Sequence, residues 1–216
     1  SYRRFRALFM NSEDIPGFYD DLSLSLDEVR RLLGEGTINR RVPAHHPVVA
    51  SVDTDGNPSQ RIMILRDFNW EDRQMRFNTD RRSTKVAQLE NLGNTSILIY
   101  DEAAKLQIRL AGTARVDSQQ EAEAAWRDST PFARRCYMSE AAPGDITDNP
   151  SSGLPGWIES KKPSEEQLAP ARANFAVVIV SIYRIEWLYL ANSGHRRAQW
   201  QWDETANTWS GRWLIP

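Results

Sequence analysis

Cysteine is nearly missing from this chain: Cys136 is the single one in 216 residues. Its isolation excludes an internal disulfide and any thiolate zinc site, and it fits a reducing compartment. No apolar run approaches the ~20 residues that a membrane-spanning helix needs. No apolar signal-like segment follows the basic opening SYRRFRALFM. The expected setting is the cytoplasm, with no membrane partner. A basic excess is missing too. Lys and Arg number 27 against 29 Asp and Glu, for a formal net charge of −2, so no nucleic-acid partner is expected. Histidine is scarce, at three, and the adjacent His45 and His46 point apart with no third ligand placed, so no metal is expected. Also lacking are a Gly-x-Ser-x-Gly elbow, a Gly-x-Gly-x-x-Gly fingerprint and a P-loop. Acidic residues fall mainly in turns and on helix faces, and no catalytic residue stands out.

What is present suits one well-buried domain: 40% hydrophobic and 26% charged residues. Residues 1–22 read as an N-terminal extension. Ser25-Leu-Asp-Glu28 has capping-box spacing, ahead of an apolar stripe of Leu26, Val29, Leu32 and Leu33 that Gly34 and Gly36 are expected to stop. Strands are expected over 48–53 and 60–66 as a hairpin, and over 74–79. A short helix then starts at Ser83, with Lys85 in its first turn and Gly93 just past its end. Strands follow over 95–100 and 105–116. A second capping box, Ser118 to Glu121, opens a helix through Trp126, and another short helix is expected over 131–140.

Residues 141–173 are rich in Pro, Gly, Ser and charge and carry no period, as in a lid, a binding loop or a disordered segment. Strands resume over 175–183, 185–190, 197–203 and 208–214. Five of the eight tryptophans lie in this last part, where packing is a commoner role than ligand stacking. Many short strands with two helical insertions predict a mostly antiparallel small barrel, mostly β with inserted helices, over residues 1–216.

The chemistry that remains is cationic. Arg61, Arg66, Arg81, Arg82 and Lys85 crowd the hairpin-to-helix junction, followed by Arg109, Arg196 and Arg197. A helix N-terminus with nearby cations is a phosphate site. Arg61 and Arg66 bracket Ile62, Met63, Ile64 and Leu65, a placement that serves a strand rim and a phosphate ligand alike. For Arg81 and Arg82 a solvated surface is an equal alternative.

Four motifs in order carry a resemblance: RIMILR over 61–66, FNTD-x-x-S-x-K over 77–85, QIRL-x-G over 107–112, and the closing IEW, GHRR and WLIP. Together they resemble the pyridoxamine 5′-phosphate oxidase family, from about residue 45 to the end. The resemblance implies an FMN-binding split β-barrel, antiparallel and Greek-key-like. It also implies a homodimer with FMN at the subunit interface and a small-molecule substrate. Arg61 and Lys85 would hold the FMN phosphate beside Ser83, and the backbone of Ile62, Met63, Ile64 and Leu65 would run along the flavin. Arg66 stands at the family's strand-ending Lys, and Asn78 and Thr79 match the pair at the phosphate end. Gln107 matches the glutamine facing the ring, Arg197 an arginine from the partner subunit, and Trp187 a family tryptophan displaced by one residue, with Leu188 at its position.

Departures accompany the match. Thr84 replaces an arginine beside the lysine, Asn192-Ser-Gly-His195 replaces the substrate-gripping Arg-Leu-His segment, and Tyr137-Met-Ser-Glu-Ala-Ala142 is a reduced form of a Trp-Val-Ser-x-Gln-Ser-like segment, without its Gln-Ser pair. The implied function is an FMN-dependent oxidoreductase whose substrate is not pyridoxamine phosphate. The alternatives are a non-catalytic flavin carrier or sensor, or a barrel of this type that binds haem or a deazaflavin.

Overall fold

The structure, a computed structural model, describes residues 15–216; most of the expected N-terminal extension lies outside the described residues. The first helix, α1 (Leu22–Ile38), starts four residues earlier than the expected capping box at Ser25 would place it. Asp21 is its cap, with Oδ1 accepting from the Leu24 N–H at 2.9 Å. Ser25 is instead buried inside the helix, donating through Oγ to the Phe18 carbonyl at 2.7 Å. Gly34 and Gly36 do not stop the helix. A Cβ on Gly36 would lie 2.8 Å from the Ala44 backbone, so glycine there lets the following 3₁₀ turn pack against α1. That close packing outweighs the ~1 kcal/mol that a helical glycine costs.

Nine strands among the described residues form one antiparallel sheet that does not close. β1 (Val48–Val52) pairs with β2 (Pro58–Ile62) around the expected hairpin turn. The single strand expected over 60–66 is two. After Ile62 the chain leaves β1, with only the Met63 N–H still bonded to the Pro47 carbonyl at 3.1 Å. It then pairs afresh as β3 (Leu65–Asn69) with β4 (Gln74–Asp80). Helix α2 (Thr84–Asn91) follows, then β5 (Asn94–Asp101) and β6 (Leu106–Asp117).

The two strands expected over 175–190 are one, β7 (Phe175–Tyr189), which pairs with β6 along most of its length. Its other edge changes partner midway. Phe175 to Ser181 face β4, whereas Arg184 to Tyr189 face β8 (Arg196–Asp203), which carries β9 (Thr208–Leu214). Tyr183 is left out of the β6 register at this fork, a bulge opposite Ala111 and Gly112. A Cβ on Gly112 would meet Ser181 O at 2.7 Å, so the close approach at the fork requires glycine. The split in the barrel is this change of partner.

The main core combines α1 with the inner residues of β3 to β8, including Leu33, Leu65, Phe77, Ile108 and Trp187. A second cluster joins Trp126 of α3 (Gln120–Asp128) to Phe175, Val177 and Ile179. Helix α3 is not capped by the expected Ser118 box; Asp117 Oδ1 accepts from the Gln119 and Ala122 N–H groups, each at 3.0 Å. The expected helix over 131–140 is a single turn, α4 (Pro131–Arg134), continued as a 3₁₀ turn. The far half of the 141–173 loop is packed. It contains α5 (Glu165–Leu168), and Ile158, Leu168 and Ala171 are buried. No helix among the described residues is long and apolar enough to cross a membrane, and no group of His, Cys, Asp or Glu there has metal-site geometry.

Candidate functional site

Where the chain crosses from β2 to β3 it bounds a cavity of about 330 Å³. Arg61, Ile62, Met63, Ile64 and Arg66 line it from the crossing, Asn78, Thr79 and Asp80 from β4, and Lys85 from α2. Eight of the thirteen residues expected at a cofactor are therefore brought together. Alternation along β4 explains part of this: Met75, Phe77 and Thr79 turn inward while Arg76 and Asn78 occupy the other face.

Arg61 is fixed by neutral oxygens. Its guanidinium donates to Ser51 Oγ and Ser59 Oγ, each at 2.8 Å, and to the Val49 carbonyl at 3.2 Å. Burial alone lowers its pKa. The Lys85 ammonium donates to Ser83 Oγ at 3.1 Å. Its pKa is lowered first by burial and then by Arg61, with Asp80 opposing. Asp80 is already engaged, because Arg82 donates to both its carboxylate oxygens, at 3.0 and 2.8 Å, and reaches the Ser139 carbonyl at 3.1 Å. Arg82 is thereby a structural clamp rather than a free cation.

Two cations thus face one another in a partly buried site, and among the described residues neither has a carboxylate of its own within ion-pairing distance. An anion between them removes both penalties. Ser83 is the residue before α2, as expected, but its hydroxyl does not cap the helix; it donates to the Asp80 carbonyl at 2.8 Å. The first turn of α2 has no side-chain cap and is open to an anion. A terminal phosphate monoester fits this end of the cavity.

Other expected site residues lie elsewhere. Leu65 is fully buried in the core, so that only its backbone belongs to the crossing. Gln107, Leu188 and Arg197 stand in one row across β6, β7 and β8, with Tyr100 of β5 beside Gln107. This outer face is apart from the cavity in the same chain. Trp187 does not belong to it. It is 0% exposed, stacked on Tyr189 and packed against Phe18, because strand alternation sends its side chain inward and puts Leu188 on the outer face. The Trp187 assignment is corrected accordingly.

Sequence reasoning passed over Asp80, Cys136, Tyr137 and Pro143 as cavity walls. Asp80 ends the FNTD motif, which was a usable signal. Tyr137 arrives through a 3₁₀ turn and is wedged edge-on against Phe175, with ring centroids 4.9 Å apart, a contact with no local sequence signature. Burial raises its phenol pKa, keeping the hydroxyl protonated.

An open antiparallel barrel forked along one strand, with a cationic cavity at a strand crossing, is a split barrel. Solved structures share this fold. A pyridoxamine 5′-phosphate oxidase-related, FMN-binding protein from Nostoc punctiforme aligns with TM-score 0.69 at 22% identity, covering 88% of this chain and 96% of that one. PhzG from Burkholderia lata aligns with TM-score 0.66 at 20% identity, covering 94% and 98%. Residues 30–118 match the family model "Pyridoxamine 5'-phosphate oxidase, FMN-binding domain". Over that span the chain is similar to this family's FMN-binding domain, and the match supports FMN as the cofactor. Among curated relatives, the pyridoxine/pyridoxamine 5′-phosphate oxidase of Gloeothece citriformis is 34% identical over 76 residues, 35% of either chain. That of Ruegeria sp. is 27% identical over 128 residues, 52% of this chain and 63% of the relative. The matched span thus covers about a third of the first of these relatives.

Proposed function

We propose that the FMN phosphate lies between Arg61 and Lys85, with Ser83, Asn78 and Thr79 at that end, and that the crossing over residues 62–65 lines the ring. On this reading the chain is an FMN-dependent oxidoreductase acting on a small molecule. The observation that carries it is the pair of mutually repelling, partly buried cations with no carboxylate partner, in a cavity that eight expected residues share. Bound FMN supplies hydride or electron exchange. The chain's own residues bind the phosphate, orient the ring and hold the Tyr137 hydroxyl protonated at the cavity wall.

The working form is a homodimer. Gln107 and Arg197 lie off the cavity, on a face that also presents Leu98 and Tyr100, 38% and 53% exposed. They reach a flavin only from a second copy. A cytoplasmic setting, with no membrane or nucleic-acid partner, belongs to the same reading.

Mixing Lys85→Ala and Arg197→Ala subunits tests it. Heterodimers should hold one doubly defective site and one intact site, and the intact site should bind FMN with near-normal affinity. If heterodimers form and no tight site returns, the cofactor lies within one chain.

Pyridoxamine 5′-phosphate is not the substrate on this reading. The turn that replaces the substrate-gripping segment is used internally: Tyr19 Oη donates to the Gly194 carbonyl at 2.6 Å, and Arg196 pairs with Asp20 at 2.6 Å. Turnover assays with pyridoxamine 5′-phosphate should show little or none, and oxidation matching that of a named relative overturns this part.

A further inference from the structure

Beside the flavin cavity is a second and larger one, about 430 Å³, within the range of small-molecule sites. The two share Arg66 and Asn78 as walls. Three guanidinium groups line the second cavity, those of Arg40, Arg66 and Arg76, against a single carboxylate, Asp128. His45 adds no charge partner, since its Nδ1 donates to the Gly36 carbonyl at 2.6 Å.

The placement of Arg76 is the unusual feature. It lies in β4 between the fully buried Met75 and Phe77, so strand alternation turns it onto the opposite face, toward α3. There it is half-buried, and its hydrogen-bond partner is neutral: Nη1 donates to Asn78 Oδ1 at 3.1 Å. The Asn78 amide in turn reaches Ser129 Oγ at 3.4 Å. Among the described residues, no carboxylate is within ion-pairing distance of Arg40, Arg66 or Arg76. By contrast, the buried Arg134 is matched by Glu165 and the half-buried Arg172 by Glu123. Arg76 borders Asp67, Glu121 and Asp128 on its other side without a direct ion pair to any of them, so a bound anion can still add a charge-assisted contact.

We propose that this cavity is where the substrate's anionic group is gripped, and that Arg76 and Arg40 determine specificity for a small organic anion, a carboxylate or a phosphate ester. The role as substrate site rests on the FMN reading; anion binding in the cavity does not. Asn78 links the two, since one of its faces holds Arg76 and its side chain also lines the flavin cavity. The chain thus supplies through β4 and the end of α1 the cations that the 192–195 turn lacks.

The test uses the full-length protein loaded with FMN and three probes with the same ring: benzoate, phenyl phosphate and benzamide. At least one anion should perturb the flavin absorbance saturably, while benzamide at the same concentration does not. The stronger anion identifies the head group as carboxylate or phosphate. Arg76→Gln and Arg40→Gln should each weaken that anion by about tenfold, the scale of one charge-assisted contact. FMN affinity should stay within about twofold, which a loss of fold would not allow. Arg40 is exposed, so its variant remains informative if Arg76→Gln fails to fold. Equal binding of benzamide, no binding of either anion, or wild-type anion affinity in the Arg40 variant overturns the proposal. If the protein takes up no FMN, calorimetry with phenyl phosphate decides separately. Heat that Arg40→Gln weakens upholds the anion cavity while sinking the FMN reading; absence of heat sinks the cavity.

Discussion

The two ends of the sheet treat their arginines differently. Around β7, β8 and β9, several cations are answered within the chain. Arg109 and Arg197 share Glu186, at 2.9 and 2.7 Å; Arg196 pairs with Asp20; and Arg73 lies over the Trp202 ring at 4.1 Å while donating to the Ile182 carbonyl. Around the β2–β3 crossing and β4, Arg61, Lys85, Arg66 and Arg76 have neutral partners or none in an ion pair. Charges matched inside the chain build the fold, and charges left unmatched in a cavity mark where a ligand supplies the missing sign. Arg82 shows that proximity alone does not decide, since it lies in the cationic stretch and yet is matched by Asp80.

The sharpest way to break this contrast at the matched end is Glu186→Ala. Its side chain is 13% exposed, and its removal leaves two guanidiniums facing each other. Stability should fall by about 1–2 kcal/mol, given the partial exposure of both arginines. That corresponds to a Tm lower by about 2–8 °C at this chain length. An unchanged Tm would mean that the pairing is incidental.

At the unmatched end the sign should reverse. The folded protein holds Lys85 below its ordinary pKa of 10.5, so the unfolded chain binds that proton more tightly. Stability of the FMN-free protein should therefore rise as pH climbs from the depressed value toward 10.5. Lys85→Met should remove this dependence and raise the Tm of the FMN-free protein, by no more than about 2 °C at neutral pH. A lower Tm would show that the ammonium is stabilising without a ligand.

How much of this was legible in the sequence follows the same division. The cationic stretch, the hairpin before it, helix α2 and the alternation of β6 were visible, because each is specified by neighbours in the chain. The break between β2 and β3 was not. RIMILR has unbroken strand character, and only tertiary pairing, with β1 on one side and β4 on the other, divides it. The reverse error at 175–190 has the same origin, for β7 runs on through Tyr183 and Arg184 while its neighbours change. Gly34 and Gly36 resembled a stop because the packing of Ala44 on Gly36 is non-local. For Trp187 the family pattern pointed to the site, but strand alternation, countable from the sequence, places it in the core. Arg40 and Arg76 gave no local signal; they meet only once α1, β4 and α3 are assembled.

The central claim is that Arg61 and Lys85 await a phosphate, and the affinities of FMN and riboflavin for wild type and Lys85→Ala test it most directly. The substitution should weaken FMN by about one to two decades, the worth of one charge-assisted hydrogen bond. Riboflavin, which lacks the phosphate, should bind both proteins alike. Equal losses for the two flavins, or no loss for either, would contradict the phosphate assignment.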